Sequence, residues 1–217
     1  MFSRVKGIIW DWNGTLLNDV GLCVSVINQL LEKRGLSRLT IDNYKQVFTF
    51  PVKEYYQKIG FDFETEPFEI PAMEFIDGYT AKVSECGLHE NSLELLESFK
   101  SLGFRQFVVS AMEQQELEKC LDRVKIRHYF EHVSGLDNHY ADSKIENGKR
   151  LISELKIDPA DIILIGDTVH DFEVASELGC PCVLIAGGHQ TKEVLQTTGT
   201  SVFESLNELL TWKNSGF

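Results

Sequence analysis

Residues 8–19 read IIWDWNGTLLND. An apolar run from Ile8 to Trp10 stops at Asp11, and an Asn13-Gly14-Thr15 turn follows at once. A strand that ends this way delivers its acid to the carboxyl edge of a sheet, where an open parallel sheet binds its ligands. The rest of the chain repeats the form. FRQFVVS (104–110), DIILIGD (161–167) and CPCVLIAGG (180–188) are apolar or β-branched runs bounded by Gly, Ser or Asp, with helix-like periodicity between them. Such runs are apolar throughout rather than alternating, as strands covered on both faces are. The alternation predicts an α/β fold, a Rossmann-like, doubly wound parallel sheet. HVSG (132–135) and TSVF (200–203) are weaker candidate strands.

From Val20 to Gly87 no strand run appears. Helical stretches take its place, among them VGLCVSVINQLLEKRG (20–35), with Gly35 placed to end its helix in a left-handed turn. The interval is too long for one crossover, so it predicts an inserted α-helical cap domain at 18–87, with 1–17 and 88–217 forming the core. The aromatics of VFTFPVKEYYQKIGFDFETEPFEIP (47–71) suit the insert's own core, with a few left to line a pocket facing the sheet.

The whole-chain composition removes several functions. A formal net charge of −12 repels phosphate backbones and anionic lipid, which argues against nucleic-acid and membrane-surface partners. No stretch approaches the roughly 20 apolar residues of a membrane span. Cys23, Cys86, Cys120, Cys180 and Cys182 are odd in number and lack zinc spacing, which suits buried free thiols and a cytoplasmic location. An anionic substrate then requires a local positive site.

The strand ends carry the chemistry. After the first come Asp11, Asn13 and Thr15; after the second, Ser110 and Ala111; after the run at 161–166, Asp167 and Asp171. A lone acid at a strand end is commonplace. Three converging carboxylates repel unless a cation sits between them, and an all-oxygen donor set suits Mg²⁺. For the positive group facing substrate, Ser143 and Glu146 have the spacing of a capping box, which makes Ser143 the N-cap and Lys144 the first helical residue. A cation there opposes the helix dipole unless an anion lies close, so Lys144 is preferred to Lys149, which falls on the outer face. Ser110 and Glu113 share the same spacing, so Ser110 reads both as a helix cap and as part of an anion site.

Taken in order, DWNGTLLND with Asp11, VVSA with Ser110, Lys144 before a helix, and IGDTVHD with Asp167 and Asp171 resemble the four motifs of the haloacid-dehalogenase-like hydrolases. The insert after the first motif is similar to the helical cap of the phosphoglycolate-phosphatase-like branch. The resemblance implies a Mg²⁺-dependent phosphatase acting on a small phosphorylated metabolite, with Asp11 the nucleophile that becomes an aspartyl-phosphate. It implies Mg²⁺ held by Asp11, the backbone carbonyl of Asn13 and Asp167, with Asp171 nearby, directly or through water. It also implies Ser110 and Lys144 on the phosphoryl oxygens, Thr15 and Ala111 lining the phosphate site, and Lys53 or an adjacent aromatic at the leaving group.

One position departs from that pattern. The phosphatases carry an aspartate two residues after the nucleophile, which protonates the leaving oxygen and then activates water. Asn13 keeps the backbone carbonyl but exchanges no proton near neutral pH, and such acid–base help is worth roughly 10²–10⁴ in rate. Three readings follow: a slow or specialised phosphatase, with the substrate or His170 supplying the proton; a C–P hydrolase resembling phosphonoacetaldehyde hydrolase, with Lys53 forming a Schiff base; or a non-catalytic phosphate- or partner-binding relic.

Overall fold

The structure is a computed structural model and describes residues 4–136 and 144–216. Six parallel strands form one sheet: β1 (Gly7–Trp10), β2 (Arg105–Glu113), β3 (His132–Leu136), β4 (Ile162–Gly166), β5 (Cys182–Ile185) and β6 (Ser201–Phe203). Their spatial order is β3-β2-β1-β4-β5-β6, so the chain reverses its winding direction at β1. A crevice opens at such a reversal, beyond the carboxyl ends of the central strands. HVSG and TSVF supply the two edges. Edge strands are short and need no continuous apolar run, which is why they read weakly.

The apolar runs divide by parity between the two faces of the sheet. Ile8, Trp10, Val108, Ile163, Ile165 and Val183 pack on one side against α5 (Ser92–Ser101), α6 (Gln114–Arg123) and α10 (Leu206–Gly216). Ile9, Phe107, Val109, Ile162, Leu164 and Leu184 pack on the other against α7 (Lys144–Leu155), α8 (Val169–Leu178) and α9 (Lys192–Gln196). Each fully buried large side chain contributes about 1.5–3 kcal/mol. The fold is thus doubly wound, as the uninterrupted runs predict.

Between β1 and β2 the chain builds a helical insertion from α1 (Val20–Lys33), α2 (Ile41–Val47), α3 (Val52–Lys58) and α4 (Glu69–Thr80). Gly35, at φ +67°, follows α1; Leu36 N donates to Leu31 O at 2.9 Å and Gly35 N to Glu32 O at 3.1 Å, a Schellman closure. Val24, Ile27, Leu31, Tyr44, Tyr55, Tyr56 and Phe61 form a core of the insertion's own. Most of the aromatics therefore serve the insertion. Phe48 packs on Tyr44 and Tyr55 of that core and also meets His189, while Phe50 stacks on His170 with ring centroids 4.6 Å apart.

Two local expectations are corrected or fall outside the structure. Ser110 does not cap a helix; it lies within β2, which runs on to Glu113 through a register shift against β3. The following helix starts at Gln114, and Glu113 caps it by accepting from Glu116 N at 3.1 Å. The strand continues because Glu113 pairs with Leu136 of β3 beyond the shift, and beside that pair Gly135 N donates to Gln114 Oε1 at 2.5 Å. Residue 143, the expected N-cap of α7, lies outside the described residues, while α7 itself begins at Lys144. Among the described residues, no helix is long and apolar enough to cross a membrane. All five cysteines are free; four are buried and Cys86 is half-buried.

Candidate active site

The sheet register assembles the site. Trp10 pairs with Val108 on one side and Ile165 on the other, so Asp11 stands level with Val109 and Gly166, one residue before Ser110 and Asp167. Asp11 N donates to Ile165 O at 2.8 Å, which carries the ladder one step past β1 and fixes the aspartate at the edge. Asp11 Oδ2 accepts from Thr15 Oγ1 at 3.0 Å, and the same hydroxyl lies 2.9 Å from Asp167 Oδ1. Lys144, buried at the start of α7, pairs with Asp11 Oδ1 and with Asp171 Oδ1. Ligand atoms of Asp11, Asp167 and Asp171 lie within 4.8 Å of one another, all buried. Sequence reading names each of these residues, and the fold gathers them.

Their charges do not balance. Burial, reinforced by Asp171, pushes the Asp11 carboxyl up to about 6 despite Lys144. Burial raises Asp167 as well, and the Asp11 and Asp171 carboxylates add to it. Asp171 is held low, because Lys144 and the Thr168 contacts outweigh its burial. The same pair of acids overcomes burial at Lys144 and raises it. One ammonium among three buried carboxylates leaves room for a further cation, and the hard oxygen donors of Asp11 and Asp167 fit Mg²⁺. Asp171 has less to offer a metal: its Oδ2 already accepts from Thr168 Oγ1 at 2.7 Å and from Thr168 N at 3.0 Å, in the capping box of α8.

Two glycines let the backbone crowd Asp167. Gly14 sits at φ +74°, and a Cβ there would lie 2.3 Å from Asp167 Oδ2. A Cβ on Gly188 would lie 2.0 Å from the same oxygen. Gly188→Ala is therefore expected to displace Asp167, to lower stability by about 1–3 kcal/mol and to weaken Mg²⁺ binding. Thermal unfolding with and without Mg²⁺ reads both effects, and an unchanged Mg²⁺ response would count against Asp167 as a ligand.

A second buried network sits behind the first. Asp19 occupies the N-cap position of α1 but makes no cap bond. Its carboxylate turns back to accept from Gly14 N at 2.9 Å, Asn13 Nδ2 at 2.8 Å and Tyr79 Oη at 2.6 Å. His189 Nε2 lies 3.3 Å from Asp19 Oδ1, and its Nδ1 lies 2.9 Å from Tyr44 Oη. Burial opposes the charge on His189, yet Asp19 outweighs it and brings the ring up to about 9. His189 N also donates to Asp167 Oδ2 at 2.5 Å. Gln190 then links Val169 N, accepting at 2.7 Å, to Phe48 O, to which it donates at 2.8 Å. The loop at 187–190 thus joins the metal-type cluster to the insertion.

The remaining predicted residues divide. Ser110 is buried, and its hydroxyl donates to Asn13 Oδ1 at 3.3 Å. Ala111 follows it on β2 and is exposed. Lys149 is exposed beside Glu146 and Glu177, on the outer face as expected. Lys53 is exposed on α3, with its Nζ 5.7 Å from the centre of the Phe63 ring, and is not gathered with Asp11. His170 bonds Glu173 through Nδ1 at 3.2 Å. Sequence reading misses Asp19, Tyr79, His189 and Gln190. Asp19 alone carries a local signal, and that signal, an acid before a helix, points to a cap it does not form.

With this geometry in hand, the family model for haloacid dehalogenase-like hydrolases matches residues 8–185. A phosphoglycolate phosphatase of Caulobacter vibrioides is 26% identical over 204 residues, covering 90% of this chain and 84% of that one. The tyrosine-protein kinase PtkA of Mycobacterium tuberculosis is 24% identical over 201 residues, covering 90% of this chain and 67% of the kinase. Among solved structures, a predicted phosphatase from Clostridium acetobutylicum superposes with a TM-score of 0.81 at 21% identity, over 97% of this chain and 99% of that one.

Proposed function

Because this chain belongs to the haloacid dehalogenase-like hydrolases, we propose that it is a Mg²⁺-dependent phosphatase that hydrolyses a small phosphomonoester through an aspartyl-phosphate at Asp11. The observation that carries this reading is the carboxylate of Asp11, fixed by Thr15 and Lys144 at the open end of the central strand beside Asp167. Asp11 attacks phosphorus. Lys144 keeps the nucleophile ionised and pairs with a phosphoryl oxygen as the ester bond breaks, while the Ser110 hydroxyl is close enough to turn from Asn13 to the same group. Asp171 holds Lys144 in line and acts through it. Asp11, Asp167 and the backbone carbonyl of Asn13 would hold Mg²⁺, which when bound would supply positive charge for the transferring phosphoryl group. The phosphoglycolate phosphatase activity of the Caulobacter relative favours a compact metabolite. The C–P hydrolase reading finds no comparable support, since Lys53 lies over Phe63.

The test is a panel of phosphomonoesters with Mg²⁺ and with EDTA, read for both a burst and sustained phosphate release. Sustained release that EDTA abolishes is the expected result. A single burst with no turnover supports the binding-relic reading instead. Without substrate, Mg²⁺ at 100 times its Kd is expected to stabilise the protein by about 2.7 kcal/mol, and no shift in Tm would remove the metal from the proposal.

A further inference from the structure

The hydrogen-bond partners of Asn13 define what that side chain is. Its Nδ2 faces Asp19 Oδ2 at 2.8 Å and Tyr79 Oη at 2.7 Å, and its Oδ1 accepts from Ser110. Tyr79 has one hydroxyl proton and donates it to Asp19 Oδ2 at 2.6 Å, so toward Asn13 it accepts. Two acceptors at the nitrogen and one donor at the oxygen describe an amide. A carboxylate in the same place would stand 2.8 Å from that of Asp19. The position is built around a group that transfers no proton.

Among the described residues, the side chains that touch Asn13, Asp11 or Asp167 are committed elsewhere, while His89 meets the backbone of Gly14 and leaves its Nε2 without a hydrogen-bond partner. Thr15 lies between the Asp11 and Asp167 carboxylates and gives its one hydroxyl proton to one or the other. Lys144 is clamped between Asp11 and Asp171. His189 spends both ring nitrogens on Asp19 and Tyr44, behind the turn that carries Asn13. His170 stacks on the Phe50 ring and meets Glu173 through Nδ1 at 3.2 Å. An ordinary alcohol leaves phosphorus as an alkoxide, a base as strong as hydroxide, unless a proton reaches it. A phenolate, from a phenol of pKa about 10, or a carboxylate needs none.

We propose that the chain acts on monophosphates whose leaving group departs as a stable anion, the aryl and acyl phosphates, in preference to phosphates of ordinary alcohols. The inference rests on the phosphatase reading above. In the first step a bond forms between Asp11 Oδ and phosphorus while the bond from phosphorus to the leaving oxygen breaks, and the electron pair stays on that oxygen. Water then attacks phosphorus, its proton passes to solvent, and the Asp11 carboxylate and inorganic phosphate separate.

The experiment measures kcat/KM with Mg²⁺ for aryl phosphates of graded leaving-group acidity, for acetyl phosphate, and for alkyl phosphates of similar size. Rates are expected to fall steeply as the leaving group becomes more basic, with alkyl phosphates about 10²–10⁴-fold below nitrophenyl phosphate. A flat dependence, with alkyl phosphates turned over as fast, overturns the proposal and leaves the phosphatase reading standing. Failure of every compound, with no burst, sinks that reading itself. Acetyl phosphate falling on the aryl line supports leaving-group acidity as the criterion, and a rate far below that line overturns the acyl half.

Two variants complete the test. Asn13→Asp alone sets two carboxylates together, so it is paired with the exchange variant Asn13→Asp/Asp19→Asn, which keeps one acid and one amide in contact. The exchange variant is expected to raise alkyl-phosphate turnover relative to that of nitrophenyl phosphate by about 10²–10⁴. A folded exchange variant with that ratio unmoved overturns the proposal. His170→Gln is expected to leave the leaving-group dependence as it is, and a selective loss on alkyl phosphates would identify His170 as a proton donor and overturn it.

Discussion

Lys144→Met is expected to lower the stability of the metal-free protein by about 3–5 kcal/mol, the range for breaking a buried ion pair by removing one partner. The Lys144 side chain is 6% exposed and pairs with two acids whose own side chains are 8% and 2% exposed, so solvent cannot replace it. Methionine fills much of the volume and supplies no charge. Asp11, Asp167 and Asp171 are then left together without a cation, each of them buried. For a chain of this size the loss corresponds to a fall in Tm of about 6–20 °C. Mg²⁺ should recover part of it, because the ion neutralises the same carboxylates, and the Mg²⁺-induced rise in Tm should exceed that of the wild type. Thermal unfolding with and without Mg²⁺ checks both statements. A loss below about 1 kcal/mol would mean that the carboxylates relax apart or take up protons with little penalty.

Asp11→Asn should separate activity from stability. Losing a nucleophile that forms a covalent intermediate lowers turnover by about 10⁴–10⁶, and trapping with a labelled aryl phosphate should yield no phosphoenzyme. Stability should hold or rise. The Asp11 carboxyl is pushed up to about 6, because burial and the Asp171 charge outweigh Lys144, so its ionised form works against the fold at neutral pH. An isosteric amide removes that charge, retains an oxygen for Lys144, and lets Thr15 donate to Asp167. The two substitutions thus have opposite expected effects on Tm although both are expected to abolish or cripple turnover. An Asp11→Asn protein that keeps more than about one part in 10² of wild-type activity would place the nucleophile elsewhere.

The legible parts of this protein are those whose information is local. Each central strand is spelled out by its own apolar run, and Asp11, Lys144 and Asp167 announce themselves by standing at element ends. The parts that escape reading are contacts between distant segments. Asp19 looks like a helix cap until Tyr79, 60 residues on, and His189 reach it. Ser110 looks like another cap until the pairing of Glu113 with Leu136 carries β2 past it. Lys53 has the composition of a site residue, and only the fold of the insertion reveals that it rests on Phe63. Asn13 is the instructive middle case. Its departure from the family pattern is visible in one line of sequence, whereas the partners that suit an amide come from the N-cap position of α1, from α4 and from β2.

The position of β1 has a consequence for how the chain is made. It is made before both of its neighbours, β2 and β4, and its register with β4 joins residues 7–10 to residues 162–165. At about 5–20 residues per second, roughly 8–30 s separate synthesis of Asp11 from synthesis of Asp171. During that interval the nascent chain carries an apolar strand with both flanks unpaired until β2 is made and one thereafter, and the helical insertion, with a core of its own, emerges in full. The insertion can collapse first and hold the strand near its base, which would favour vectorial assembly over pairing with other unfinished chains. A circular permutant that moves β1 after β6 would deliver this strand last, and its yield from in vitro translation would weigh that protection against the delay.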